Sequence, residues 1–145
     1  MAVPRALLFV VLAGCGDAAY VIPEEDGVRI AQQECAAHGV SATEARSLAV
    51  TVDGVALGVV LDGWSGAHAL GFEYVSEGDP DLAGAATDLG LAGETPKLQA
   101  AVDAALAAEP ATHVLVLGTA AHETAELAEG QLADRVRAWL VALGL

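Results

Sequence analysis

Basic and aromatic residues are scarce in this chain, and their scarcity limits what it can bind. Six Lys and Arg residues stand against 20 Asp and Glu, which gives a formal net charge of −14, and only 4% of the 145 residues are aromatic. Such a surface repels nucleic acid and anionic lipid headgroups. We therefore expect no nucleic-acid partner. The acids either solvate an Ala-rich domain or favour a cationic partner.

Motifs for metal or cofactor chemistry are also lacking. The chain has four histidines, none of which makes a zinc-type pair: His38, His68, His113 and His122. The alternative is that His113 and His122 converge on a metal across one βα turn. Ser65 lies in a turn with no identifiable base and no nucleophile-elbow motif. Gly118-Thr119 lacks the Gly-rich phosphate pattern. We expect no cofactor, no metal and no complete catalytic set.

The N-terminus carries the most specific pattern in the chain. Arg5 precedes a short apolar run, residues 6–11, and the run ends in Leu12-Ala13-Gly14-Cys15. One charge, a short apolar run and small residues before a cut point are typical of a secretory signal. The Leu-Ala-Gly-Cys ending resembles the signal of bacterial lipoproteins. The alternatives are a buried strand or helix with an incidental cysteine, or a transmembrane helix, for which the run is short of the necessary ~20 residues.

This resemblance to lipoproteins implies a signal peptide over residues 1–14, a lipid such as palmitate on Cys15, and a tether over residues 15–22. Gly16, rather than Asp, after the cysteine implies the outer membrane, facing the periplasm. The membrane, reached through the lipid, and an envelope protein are then the expected partners. Only Cys35 would remain as a thiol, so no intramolecular disulfide is possible and a buried structural thiol is expected.

The remaining residues, 23–145, predict a single α+β domain of order αβββαβα. The expected sheet is mixed and four-stranded, with a three-stranded antiparallel meander and flanking helices. Asp53-Gly54 predicts a two-residue hairpin turn. We expect both faces of the second strand to be covered, and one helical turn at residues 41–44. The expected helices are 24–38, one beginning at Thr95-Pro96, and 122–143; the strands are 47–52, 55–61, 69–76 and 112–117, with a long surface loop over 77–93.

The order αβββαβ resembles the core of the restriction-endonuclease-like superfamily. In that family an acid lies near the end of the second strand and a Glu-x-Lys motif on the third. Asp62 and Glu73-Tyr74-Val75 occupy those positions, with Val75 in place of the lysine. Two such carboxylates could hold Mg²⁺ and position a water at a phosphate, and Lys97 is a candidate replacement for the missing base. The simpler alternative is a turn residue at Asp62 and a solvent-facing residue at Glu73.

The sequence is therefore compatible with two functions. The first is a non-catalytic, membrane-anchored periplasmic lipoprotein with a binding or assembly role. The second is a metal-dependent hydrolase, a degenerate relative of the nucleases, using Asp62 and Glu73. The export signal and the acidic surface favour the first. The string Gly71–Val75 also resembles segments of uncharacterised bacterial proteins, which implies no activity.

Overall fold

The computed structural model describes residues 19–77, 79, 82, 85–92 and 94–145, which form a single α+β domain. Residues 1–18, with the predicted signal peptide and Cys15, lie outside this description. The helices are α1 (Glu24–Ala37), the one-turn α2 (Ala85–Asp88), α3 (Thr95–Ala105) and α4 (Ala125–Ala142). The strands are β1 (Ser47–Val52), β2 (Val55–Val60), β3 (Gly63–Ser65), β4 (Leu70–Val75) and β5 (His113–Gly118).

α1 keeps close to its predicted bounds, whereas α4 begins at Ala125 and not at residue 122 as predicted. Pro23 precedes α1, and three acids in its first turn face the positive end of the helix dipole. Gly39 follows with a φ of +77°, a backbone conformation that glycine adopts without strain. The side chain of Thr124 accepts the N–H of Leu127 at 3.2 Å and caps α4.

β1 and β2 form the predicted hairpin. Asp53 and Gly54 both have positive φ values, 50° and 79°, as a type I′ turn requires. Val52 pairs with Val55, and Ser47 with Val60 at the far end. One face of the hairpin packs into the core. The other face is exposed, so the expectation that both faces of the second strand are covered is wrong.

The predicted four-stranded mixed sheet with a three-stranded meander is also wrong. The structure has a two-stranded sheet, β1-β2, and a three-stranded sheet, β3-β4-β5. The chain bends at Leu61 and Asp62 and resumes as β3, a strand that the prediction missed. β4 then pairs antiparallel with β3 instead of β2, while β5 runs parallel to β4 as expected.

Residues 41–44 do not form the predicted helical turn. Glu44 makes an isolated antiparallel bridge with Trp64 of β3, and Leu61 donates its N–H to the backbone carbonyl of Arg46 at 2.8 Å. The bridge joins the segment before β1 to the three-stranded sheet, and the bond from Leu61 extends the β1–β2 pairing by one step. Glu44, the last residue of the capping-box pattern, donates its N–H to the carbonyl of Trp64 and so takes part in this bridge instead of a helix.

The three-stranded sheet separates two apolar clusters. On one face, Phe72 and Tyr74 pack with α1 and α4. On the other, β1, β2 and α3 pack with residues of the segment predicted as a surface loop. Leu82 and Leu91 of that segment are buried at 3% and 0% exposure, so this part of the prediction is wrong. Burial of these leucines attaches an acidic, Gly-rich segment to the core.

The domain begins within the predicted tether. Tyr20 and His122 exchange two backbone hydrogen bonds of 2.8 and 2.9 Å. Ile22 is 5% exposed, and its carbonyl accepts the hydroxyl of Tyr74 at 2.9 Å. Tyr20 to Ile22 are therefore part of the fold, next to the loop that joins β5 to α4.

Candidate functional site

The structure brings Asp62 and Glu73 together, as the nuclease-like resemblance implies. Gly63 pairs with Phe72, and Asp62 and Glu73 flank that pair at the point where the antiparallel ladder opens. Asp62 donates its N–H to Oε2 of Glu73 at 3.2 Å. Oδ2 of Asp62 accepts the N–H of Tyr74 at 2.8 Å. Each carboxylate thus accepts a hydrogen bond from a backbone N–H on the other side of the ladder.

This exchange has a clear structural use. At Asp62, where the β3–β4 ladder ends, backbone N–H groups lose their ladder partners, and a buried N–H without a partner costs about 1–3 kcal/mol. The two carboxylates supply acceptors at that position. Glu73 is fully buried, at 0% exposure, so its description as a solvent-facing strand residue is wrong.

The neighbouring residues do not complete a nuclease site. Val75, in the position of the family's lysine, is buried in the core. Nζ of Lys97 lies 3.0 Å from Asp53 in the hairpin turn and 3.3 Å from Glu94. Hydrogen bonds to these two carboxylates raise the pKa of Lys97 and keep it charged. Its position beside the β1–β2 turn does not support Lys97 as the replacement base.

No group of three His, Cys, Asp or Glu residues that could hold a metal ion occurs in the described part of the chain. His113 and His122 lie at opposite ends of β5, one at its start and the other four residues beyond its end. A six-residue strand spans about 20 Å, which separates these two side chains.

Sequence reasoning missed one polar pair. Oγ of Ser65 lies 3.1 Å from Nδ1 of His68, so the serine does have a histidine beside it. Their spacing of three residues within one turn was the available signal. Ser65 is only 2% exposed, and the bond closes the β3–β4 turn, in which Ala69 has a φ of +50°. The contact stabilises a strained turn instead of presenting a nucleophile.

Cys35 is the buried thiol that the sequence predicts. It is 0% exposed on the inner face of α1. Desolvation, followed by the nearby charge of Glu34, raises the pKa of Cys35 to about 11. A thiol that stays protonated at neutral pH is a poor nucleophile and a poor metal ligand.

No protein-family model, curated protein or solved structure matches this chain. Within residues 19–145, as far as they are described, no helix combines the length and the apolar character needed to cross a membrane. The functional inference therefore depends on the residues themselves.

Proposed function

We propose that this chain is a lipoprotein of the bacterial cell envelope, anchored through lipid on Cys15 after removal of residues 1–14. In this proposal the domain lies on the periplasmic side of the outer membrane and binds a partner protein without catalysing a reaction. The observation that carries the proposal is the sequence Leu12-Ala13-Gly14-Cys15 at the end of a short apolar run.

The first described residues determine where such an anchor would lie relative to the domain. Tyr20 already pairs with His122, and it follows Cys15 by five residues. Five residues span at most about 17 Å when extended. An anchor on Cys15 would therefore hold the domain close to the membrane, with the β5–α4 loop on the side that faces it. A lipid anchor holds a protein on the membrane without spanning it.

The state of the polar residues supports a binding role over catalysis. Asp62 and Glu73 accept backbone hydrogen bonds at the bend between the sheets. Cys35 is buried and protonated at neutral pH, and Ser65 is buried in a turn. An activated nucleophile or base has to reach its substrate, and these residues are placed to hold the fold together.

Membrane fractionation of the wild-type chain and the Cys15→Ser variant in a bacterial host tests the anchor. We expect the wild type in the membrane pellet after an alkaline wash, in the outer-membrane fraction of a density gradient, and Cys15→Ser outside that pellet. Cys35→Ser is the matched control and should fractionate like the wild type. Equal fractionation of the wild type and Cys15→Ser would contradict the proposal.

A metal-dependent hydrolase is the second candidate, because the structure does place Asp62 and Glu73 side by side. Two carboxylates in contact could receive a divalent cation. Titration calorimetry with Mn²⁺ distinguishes the candidates. Saturable binding that is lost in Asp62→Asn would support the hydrolase, and no binding at millimolar Mn²⁺ would exclude this site as a metal centre.

A further inference from the structure

The outer edge of β2 presents backbone groups that the hairpin does not use. Val52 and Val55 flank a two-residue turn, which makes them a hydrogen-bonded pair of the β1–β2 ladder. Such pairs recur at every second residue, and the bond from the N–H of Leu61 to the carbonyl of Arg46 follows the same alternation. The residues between them, which direct their N–H and C=O groups away from β1, are Ala56, Gly58 and Val60.

This edge is open in the structure. Ala56, Gly58 and Val60 are all exposed, and no hydrogen bond from any described residue reaches their backbone groups. The edge of β5 differs, because the side chain of Gln99 bonds its outward backbone groups. α3 packs against β1. The outer edge of β2 is therefore the part of the hairpin that another strand can reach.

β2 also lacks the residues that usually protect an edge strand from pairing. Charged side chains and proline are common protections, and the six residues of β2 include neither. The six residues of β1 are uncharged as well. Two copies of a chain with a net charge of −14 repel each other over most of their surface. The neutral strands of this hairpin are a place where two copies can meet without bringing acidic groups into contact.

The sequence of β2 is complementary to itself in an antiparallel pair. With a two-fold axis at Gly58, this glycine lies opposite its own counterpart, and Ala56 of each copy lies opposite Val60 of the other. A small side chain thus faces a larger one across the pair. The outward N–H and C=O groups of the three residues meet in register as hydrogen-bonded pairs. Because both copies use the same edge, the contact closes as a dimer.

We propose that the outer edge of β2 pairs antiparallel with the same edge of a second copy, which joins two hairpins into one four-stranded sheet. Backbone hydrogen bonds supply the affinity, as they do wherever a strand is added to a sheet edge. The contact is short, so the dimer is weak and reversible. This self-association goes beyond the proposed function and does not depend on the lipid on Cys15. An anchor would strengthen it by raising the local concentration of the chains.

Sedimentation equilibrium of the full chain carrying Cys15→Ser measures the association without the lipid. We expect a reversible monomer–dimer equilibrium with a dissociation constant on the order of 100 µM, as for a small, transient interface. The dimer should be about 3-fold tighter in 0.5 M than in 0.05 M NaCl, because salt screens the repulsion between two acidic chains. Association that weakens with salt would indicate ion pairing at another surface and would contradict the proposal.

Two variants with the same change in charge locate the contact. Ala49 lies directly opposite Gly58 within the hairpin, and both are exposed. Gly58→Glu places two like charges opposite each other at the two-fold axis, and we expect the dimer to weaken at least about 5-fold. In Ala49→Glu the two charges are three strand spacings apart, about 14 Å. We expect this control to weaken the dimer less than about 2-fold, because salt screens charges at that distance.

A mixture of opposite charges tests the two-fold axis itself. At Gly58 a Cβ meets no described atom within 4 Å, so the hairpin accommodates either Glu or Lys there. Gly58→Glu and Gly58→Lys should each dimerise poorly alone. Mixed together, they place opposite charges across the axis, and we expect a heterodimer at least about 5-fold tighter than either homodimer.

Amide hydrogen exchange gives an independent readout. Rising protein concentration should slow exchange at Ala56, Gly58 and Val60, whereas Leu57 and Val59, already bonded to β1, should be protected at every concentration. A monomer at 1 mM, equal effects of Gly58→Glu and Ala49→Glu, or no gain on mixing the Glu and Lys variants would each overturn the proposal. The anchor is tested separately, by fractionation of the wild type against Cys15→Ser, so either proposal can fail alone.

Discussion

The side-chain amide of Gln99 accepts the N–H of Val116 at 2.8 Å and, through its nitrogen, also donates to the carbonyl of Val114. An edge strand with unpaired backbone groups can pair with another chain and aggregate. α3 therefore contributes one residue that closes the middle of the β5 edge. Arg135 of α4 adds a longer bond of 3.4 Å to the carbonyl of Val116.

Replacing Gln99 should open this edge. In Gln99→Leu, which has a similar size, the Val114 carbonyl and the Val116 N–H lose their partners, and we expect a loss of about 1–3 kcal/mol in the free energy of unfolding. Urea denaturation measures the loss, and sedimentation velocity should detect concentration-dependent association. Gln33→Leu, on α1, is the control. Among the described residues, its side-chain oxygen accepts a hydrogen bond only from the exposed Arg29, at 3.4 Å, so we expect a change within about 0.5 kcal/mol.

The carboxylate of Asp62 should matter as a hydrogen-bond acceptor. Asp62→Ala leaves the N–H of Tyr74 without its acceptor at 2.8 Å, and we expect a loss of about 1–3 kcal/mol in unfolding free energy. Asp62→Asn keeps a side-chain oxygen and should lose less. If the site served a metal, Asn and Ala would both abolish a rise in melting temperature with Mn²⁺. We expect no such rise in the wild type, and a rise of several degrees would contradict the structural role.

Two glycine substitutions test how closely α1 packs on the sheet. A Cβ at Gly27 would lie 2.5 Å from the ring of Tyr74, which is fully buried. We expect Gly27→Ala to destabilise the fold by about 1–3 kcal/mol, through displacement of the ring or the helix. At Gly58, on the exposed face of β2, a Cβ meets no described atom within 4 Å. Gly58→Ala should be neutral or slightly stabilising, and equal losses in the two variants would contradict the packing.

The contribution of the buried Cys35 thiol to the stability of the fold should fall as the pH rises. Its pKa in the folded state, about 11, is above that of an unfolded cysteine, so the folded state keeps a proton that the unfolded state loses. Its contribution to stability is therefore complete below about pH 8.5 and declines as the pH rises to 11. Burial also raises the pKa of Tyr74, so the contribution of this hydroxyl to stability likewise falls at high pH.

Alkylation measures this protection directly. In the Cys15→Ser chain at pH 8, a pKa of about 11 lowers the thiolate fraction of Cys35 by about 100-fold or more relative to an unfolded cysteine. We expect iodoacetamide to react with the folded protein more slowly by at least that factor, and at the normal rate in urea. Rapid alkylation of the native protein would show that α1 does not bury this residue.

The sequence predicted most elements and missed the point where the sheet divides. Hydrophobic periodicity and turn chemistry are local, so α1, the Asp53-Gly54 hairpin and the strand predicted at 112–117 have nearly correct bounds. Strand pairing depends on distant residues. The bend at Leu61 and Asp62 is stabilised by hydrogen bonds between Asp62 and residues 11 and 12 positions away, and by the bridge of Glu44 to Trp64. No local pattern reveals these contacts.

The sequence predicted the proximity of the two candidate carboxylates but not their structural role, for the same reason. Topology placed Asp62 and Glu73 near each other, and the structure brings them into contact. Their use, as acceptors for backbone N–H groups in a buried bend, depends on burial that the alternation of β4 did not indicate. All six β4 residues are buried, because helices and the segment around Leu82 cover both faces.

The mass of the mature N-terminus tests the central proposal most directly. Wild-type chain is extracted with detergent from a bacterial host, and its N-terminal peptide is analysed by mass spectrometry beside Cys15→Ser. We predict that the wild-type peptide begins at Cys15 and carries two or three acyl chains, and that Cys15→Ser carries none. An unmodified chain that retains Met1 and residues 2–14 would contradict the lipid anchor, and the metal-dependent alternative at Asp62 and Glu73 would then be the first to test.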